Sequence, residues 1–182
     1  MQQIVFVGFL TIFYIGCCIW RGLRRKSSGN LRLQIIAFLF VEYVFCVLAV
    51  TLLPIYIRLG VPIQWSDSTM NFILFHFIKE YTQLIGMDLF YLKVAIKNLL
   101  GNVLLFVPLG LLVPILDRRF RSMKTVLGLS FVCSLSIELM QWIESYFSMA
   151  FRMTDIDDVI LNCCGGIIGY VCYLKSIKKR RK

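Results

Sequence analysis

The sequence predicts an all-α, polytopic helical membrane protein with about five transmembrane helices and one interfacial or re-entrant segment in an outer loop. Three observations carry that class. Of 182 residues, 59% are hydrophobic and only 16% are charged, against about half apolar and a quarter charged in soluble globular chains. The mean hydropathy is +0.78. The apolar residues also gather into runs that match the roughly 20 helical residues needed to cross a hydrocarbon core of about 30 Å.

The runs are Ile4–Trp20, Leu33–Leu53, Asn98–Leu116 and Thr125–Phe147, with a shorter fifth at Val159–Leu174. In the first, the basic cluster follows the apolar stretch and no small-x-small cleavage pattern is evident, so a retained helix is expected instead of a cleaved signal. Between the third and second runs lies a long loop, Pro54–Lys97. It contains the apolar piece MNFILFHFI (Met70–Ile78), too short to span and too apolar to lie free in water, hence the interfacial or re-entrant expectation. Trp65, Tyr81, Phe90 and Tyr91 in this loop fit aromatic enrichment at head-group level. His76, the one histidine, has no nucleophile or metal-ligand pattern beside it and reads as a head-group contact.

Basic residues orient the spans. Arg21, Arg24, Arg25, Lys26 and Arg32 fall between the first two. Arg118, Arg119, Arg121 and Lys124 fall between the third and fourth, and Lys175, Lys178, Lys179, Arg180, Arg181 and Lys182 in the tail. Fifteen of the 20 Lys and Arg thus share one side, which the positive-inside rule makes cytoplasmic, with the N-terminus outside and the C-terminus inside. The net charge of +10 is then a topogenic signal and a means of holding anionic lipid, and no nucleic-acid partner is expected. The seven cysteines lie within the spans without CxxC spacing and read as small apolar side chains.

Polarity inside the spans is patterned. In SLSIELMQWIES, Ser134, Glu138, Gln141 and Ser145 recur at helical spacing, which places them on one face. Glu138 sits roughly 13 Å below the outer end at about 1.5 Å per residue. An ionisable group at that depth costs several kcal/mol unless it is protonated, paired or hydrated, and such residues mark functional sites. In RMTDIDDVILNCCGGIIGY, Asp155, Asp158, Asn162, Gly165 or Gly166, and Gly169 fall along a second stripe. Thr154 or Asp155 suits the helix N-cap, and the acids suit the positive end of the helix dipole. Gly165 and Gly169 form a small-xxx-small packing pattern. On the third span, Asn98 and Asn102 lie one turn apart, and Pro108 kinks the helix or frees a carbonyl near Leu104.

Three spans therefore bring polar groups toward one outer region. The expected ligand-binding set is Asn102, Glu138, Gln141, Arg152, Asp155, Asp158 and Asn162, with Arg152 as the cationic partner. Pro108, Gly110, Gly165, Gly166 and Gly169 are expected to serve helix packing. The alternative is a hydrogen-bonded and salt-bridged knot that only fixes how the helices pack. The cytoplasmic halves of these spans carry few polar residues, which argues against a path across the membrane.

These same residues carry a family resemblance. NVLLFVPLG (Asn102–Gly110), SIELMQ (Ser136–Gln141) and RMTDIDDVILNCCGGIIGY (Arg152–Tyr170), with a weaker match at MNFILFHFIKEY (Met70–Tyr81), resemble the VanZ-like family of bacterial membrane proteins over roughly Leu33 to Tyr170. The family often has Pro where this chain has Leu74. The resemblance implies one domain over 1–182, with an added N-terminal helix and basic loop at 1–32, a core at 33–170 and a basic tail at 171–182. It also implies a role at the Gram-positive cell envelope, since the family's namesake lowers susceptibility to teicoplanin and related glycopeptide antibiotics.

Two mechanisms suit such a site. One is a non-enzymatic protein that binds an amphiphile, a lipoglycopeptide antibiotic or a lipid-linked cell-wall intermediate, with membrane lipids around it. The other is an intramembrane enzyme using Glu138 or Asp158 as general acid or base. No Ser–His pairing, HExxH or glycine-rich phosphate loop is present in the sequence, so the reading favours binding over catalysis. No cofactor or metal is expected. A divalent cation such as Mg²⁺ on Asp155 and Asp158 is the exception the carboxylates would allow. Lipid transport is a third reading.

Overall fold

The computed structural model describes residues 3, 5–12, 14–15, 30–53, 70–71, 89–147 and 154–180. It is a helical protein, and among the described residues four helices are long and apolar enough to cross a membrane: Leu31–Leu52, Ile96–Leu116, Met123–Glu144 and Ile156–Lys178. The chain forms two compact units, Met1–Ile55 and Tyr56–Lys182.

The first unit holds a helical stretch at residues 5–12 (α1) and the helix Leu31–Leu52 (α2). Asn30 caps α2, its side chain accepting a hydrogen bond from the Arg32 N–H at 3.2 Å, which supplies one of the acceptors that the first helical turn lacks. Thr11 Oγ1 donates to Glu42 Oε2 at 2.6 Å and also contacts the Val7 carbonyl at 2.8 Å. Glu42 is thus a half-buried carboxyl in the middle of an apolar helix, held by a hydroxyl from the other helix of its unit.

In the second unit, α3 (Leu89–Leu116) contains Pro108 and Pro114 without interruption. It begins two turns earlier than the expected span. Lys93, Lys97 and Asn98 on its early turns are exposed, so the long loop ends at its helical start and not at Lys97. A 3₁₀ turn, Arg118–Phe120, leads to α4 (Met123–Phe147), and α5 (Ile156–Arg180) closes the unit. The α3–α4 turn is capped by Asp117, which accepts the Arg119 N–H at 2.9 Å. It is pinned from α5, where the Tyr170 hydroxyl donates to the Arg121 carbonyl at 2.7 Å.

Beside the helices there is one short extended contact. Met70–Asn71 (β1) and Thr154–Asp155 (β2) form a two-residue parallel pair, with Met70 opposite Thr154 and Asn71 opposite Asp155. The start of the MNFILFHFI piece is therefore extended and bound to the chain just before α5. Its remainder, with His76 and Leu74, lies outside the described residues, as do Trp65, Tyr81 and much of the first span.

α5 packs between α3 and α4. A Cβ built on Gly165 would stand 2.0 Å from the Val103 carbonyl oxygen, and one on Gly169 would stand 2.1 Å from that of Val107. Such a gap is open only to hydrogen, so these two positions require glycine for the backbones to meet. Gly110 reciprocates from α3, facing the Gly166 carbonyl. Pro108 is half-buried, while Phe106 and Leu109 on the same helix are buried. Lipid is as apolar as these side chains, so close van der Waals contact must hold this seam, not the expulsion of water.

Candidate functional site

The site lies where α4 ends and α5 begins. On α4, Ser130, Ser134 and Glu138 repeat every four residues and are 0%, 0% and 5% exposed. That spacing returns to nearly the same face of a helix, and here the face meets α5. The first turn of α5 carries Asp157 and Asp158, and Asp155 stands just ahead of it as the capping residue. The Asp155 carboxylate accepts the Asp157 N–H at 3.0 Å, satisfying one of the free amides of the first turn.

The backbone at Asp155 does a second job. Its N–H donates to Glu138 Oε2 at 3.3 Å, so the turn that starts α5 also holds the buried carboxyl of α4. From α3, Asn102 Nδ2 donates to Asp158 Oδ1. One turn further along α5, Asn162 Nδ2 donates to Ser134 Oγ at 2.8 Å, both residues being buried. Glu138 lies close enough to Asp158 and Asp155 for their charges to oppose its own.

Of the residues expected from the sequence, Asn102, Glu138, Asp155, Asp158 and Asn162 are brought together in this way. Gln141 is half-buried, close to a turn beyond Glu138 on α4. Arg152, the expected cationic partner, lies outside the described residues. Among the described residues, neither Glu138 nor Asp158 makes an ion pair. Amides hold the pair, the Asp155 N–H on Glu138 and the Asn102 side chain on Asp158.

The structure adds residues that the sequence reading did not select. Asp157, at 1% exposure, is more deeply buried than Asp158. Its stripe on the helix is not that of Asp158 and Asn162, so periodicity gave no reason to choose it. Ser130 extends the α4 stripe one turn toward the basic end. Continuing the four-residue spacing back from Ser134 would have found it. Among the described residues, no group of three or more His, Cys, Asp and Glu is arranged to hold a metal ion. A cation on Asp155 and Asp158 would have to draw on other oxygen donors. Cys46, Cys133, Cys163, Cys164 and Cys172 are free thiols.

At the opposite end of the unit, the cations collect. Arg118, Arg119, Arg121 and Lys124 are exposed around the α3–α4 turn, and Lys175 and Lys178 are exposed near the end of α5. A helical bundle of apolar spans, with acids buried at one end and bases displayed at the other, defines a small multi-pass membrane protein with a polar site in its helix interface. The VanZ/LLP1 family model matches residues 40–178, and the chain belongs to that family. Searches of the curated proteins and of the solved structures found no match.

Proposed function

We propose that this protein works at the bacterial cell envelope by binding an amphiphile at the Glu138–Asp158 site, and so lowers susceptibility to teicoplanin-type lipoglycopeptide antibiotics. The observation that carries this reading is the buried Glu138 carboxyl, held by the Asp155 N–H beside an Asp158 that Asn102 fixes in place. A ligand with a cationic or hydroxyl-bearing head would meet these acids while its fatty portion lay along the apolar helices around them. The ligand is either the lipid-bearing antibiotic or a lipid-linked cell-wall intermediate. The family membership supports an envelope role.

The separation of charge supports an orientation with the carboxylate end outside and the basic end cytoplasmic. Envelope ligands would then reach the acids from the exterior. Membrane lipids, anionic ones at the basic end, are the constant partners of this arrangement.

Glu138→Gln and Asp158→Asn test the proposal, each compared at equal folded level in the membrane. Both keep shape and hydrogen-bonding capacity while removing charge. Teicoplanin tolerance and retention of a lipid-linked ligand, read by native mass spectrometry, should fall together. Tolerance unchanged in both variants would refute a role for the acids. The closeness of Glu138 to Asp158 also favours a second reading, in which the pair exchanges a proton with substrate as general acid and base. Turnover of a bound lipid intermediate by the purified protein would select it over binding alone.

A further inference from the structure

Asp155 is held by more than the helix it starts. It stands just ahead of Ile156, the first residue of α5, and its carboxylate caps the helix at the Asp157 N–H. Its own N–H lies outside the helical hydrogen-bond ladder, because a capping residue has non-helical backbone angles. The helix therefore fixes where the Asp155 carboxylate goes, but not where that N–H points. The N–H nevertheless donates to Glu138 Oε2 at 3.3 Å, so something beyond α5 must aim it.

The element that meets Asp155 there is β1. Met70 and Asn71, from the long loop between α2 and α3, run parallel to Thr154 and Asp155, with Asn71 opposite Asp155. The one residue thus joins three elements: β1 by strand pairing, α4 through its N–H, and α5 through its cap. A parallel pair of two residues adds little stability, since isolated two-stranded pairs are marginal and parallel ladders are the weaker kind. Its effect is geometric. Pairing fixes how a strand's peptide planes are turned, and with them the direction of the Asp155 N–H. At 3.3 Å the bond to Glu138 is already longer than the usual value of about 2.9 Å, so a shift of about half an ångström would end it.

We infer that the backbone of Met70–Asn71 is a positioning element of the Glu138–Asp158 site: by pairing with Thr154–Asp155 it aims the Asp155 N–H at Glu138, and so sets how that carboxyl is presented to a ligand. The long loop is thereby part of the site without itself touching a ligand. It acts through main-chain groups, so the backbone at position 71 matters and its side chain does not. Only the last step, presentation to a ligand, rests on the amphiphile reading of the site. The aiming of the amide stands without it.

The test uses the full chain in lipid nanodiscs, with the seven native cysteines replaced and Met70→Cys and Thr154→Cys introduced. The two positions are register partners, and neighbouring strands lie about 4.8 Å apart, within the separation that a disulfide spans. Exchange of the Asp155 amide hydrogen is read by NMR in the same protein, oxidised and reduced. The disulfide should slow that exchange on the order of tenfold, and the slowing should vanish when Glu138→Ala removes the acceptor. Failure of the disulfide to form, or equal rates in the two states, overturns the inference. Slowing that survives Glu138→Ala also overturns it, since β1 would then only shield the amide. A second pair of variants needs no cross-link. Asn71→Pro, which removes a backbone donor and restricts the strand, should speed exchange at Asp155, whereas Asn71→Ala should leave it as in the parent. Equal exchange in the two refutes a backbone role. Teicoplanin is the probe for the last step, and its binding to Asn71→Pro should fall on the order of tenfold, as for loss of one hydrogen bond. If exchange responds but teicoplanin binding is unmoved in both Asn71→Pro and Glu138→Gln, the amphiphile reading fails and the aiming of Glu138 stands. If exchange does not respond, the positioning role fails whatever the binding.

Discussion

Helix α5 meets two neighbours by two different means. Toward α3 it offers Gly165 and Gly169, whose Cα atoms lie against the Val103 and Val107 carbonyls. Polarity crosses that seam at the carboxylate end, through Asn102 and Asp158. Toward α4 it offers Asp158, Asn162 and Gly166, which face Glu138, Ser134 and Ser130. The first seam gains contact area by deleting side chains and so costs little beyond the entropy of its glycines. The second sets ionisable and amide groups inside a membrane, where each costs free energy unless it is satisfied. Packing alone explains the glycine seam. The polar seam is a costly way to join two helices, which is the physical argument for a site there.

Breaking the glycine seam should have the largest effect. Gly165→Leu forces a side chain into the Val103 carbonyl, a clash with backbone that cannot turn aside. A loss of more than about 3 kcal/mol is expected, read as failure to recover folded, monodisperse protein. A well-folded Gly165→Leu variant with an unchanged melting profile would mean that α3 and α5 are not joined at this position.

The crossing between the seams comes next. Asn102→Ala removes the amide donor from Asp158 and should destabilise by about 2 kcal/mol, as expected for a hydrogen bond to a charged group. Thermal denaturation in detergent would show it. Asn98→Ala, one turn earlier on an exposed part of α3, is the matched control and should stay within about 0.5 kcal/mol of the parent. Equal losses from both substitutions would break the assignment of Asn102 to the site.

Smaller still is Ser134→Ala, which removes one interhelical hydrogen bond and should cost about 1 kcal/mol, within the range measured between membrane helices. Tyr170→Phe removes the bond to the Arg121 carbonyl and should cost a similar amount of about 1 kcal/mol. Its distinguishing readout is faster amide hydrogen exchange confined to the α3–α4 turn. Exchange spread evenly over α5 would point to a packing role for the ring instead.

The helix stripes were legible because a 100° turn per residue converts spacing into facing. Glu138 with Ser134, and Asp158 with Asn162, could be placed on common faces before any partner was known. Asp157 was not legible in that way, since burial of a helix's second stripe depends on a neighbour that periodicity does not identify. Glu42 went unselected because a single acid in an apolar run has no stripe to belong to. Its bond to Thr11 requires the two helices of that unit to lie side by side in a particular register. The β1–β2 pair is two residues long on each side, too short to leave an alternating pattern.

By itself, then, the amino-acid order determined the membrane class, four of the five expected spans and the direction each polar group faces within its own helix. Those properties follow from local chemistry, the solvation of side chains by lipid and the fixed geometry of a hydrogen-bonded helix. Only the tertiary structure decided which stripes meet. The register that sets Ser134 against Asn162 and Glu138 beside Asp158 comes from the backbone approach that glycine allows and from the turn at Asp155. Both join residues far apart in the chain, and no local pattern encodes their meeting.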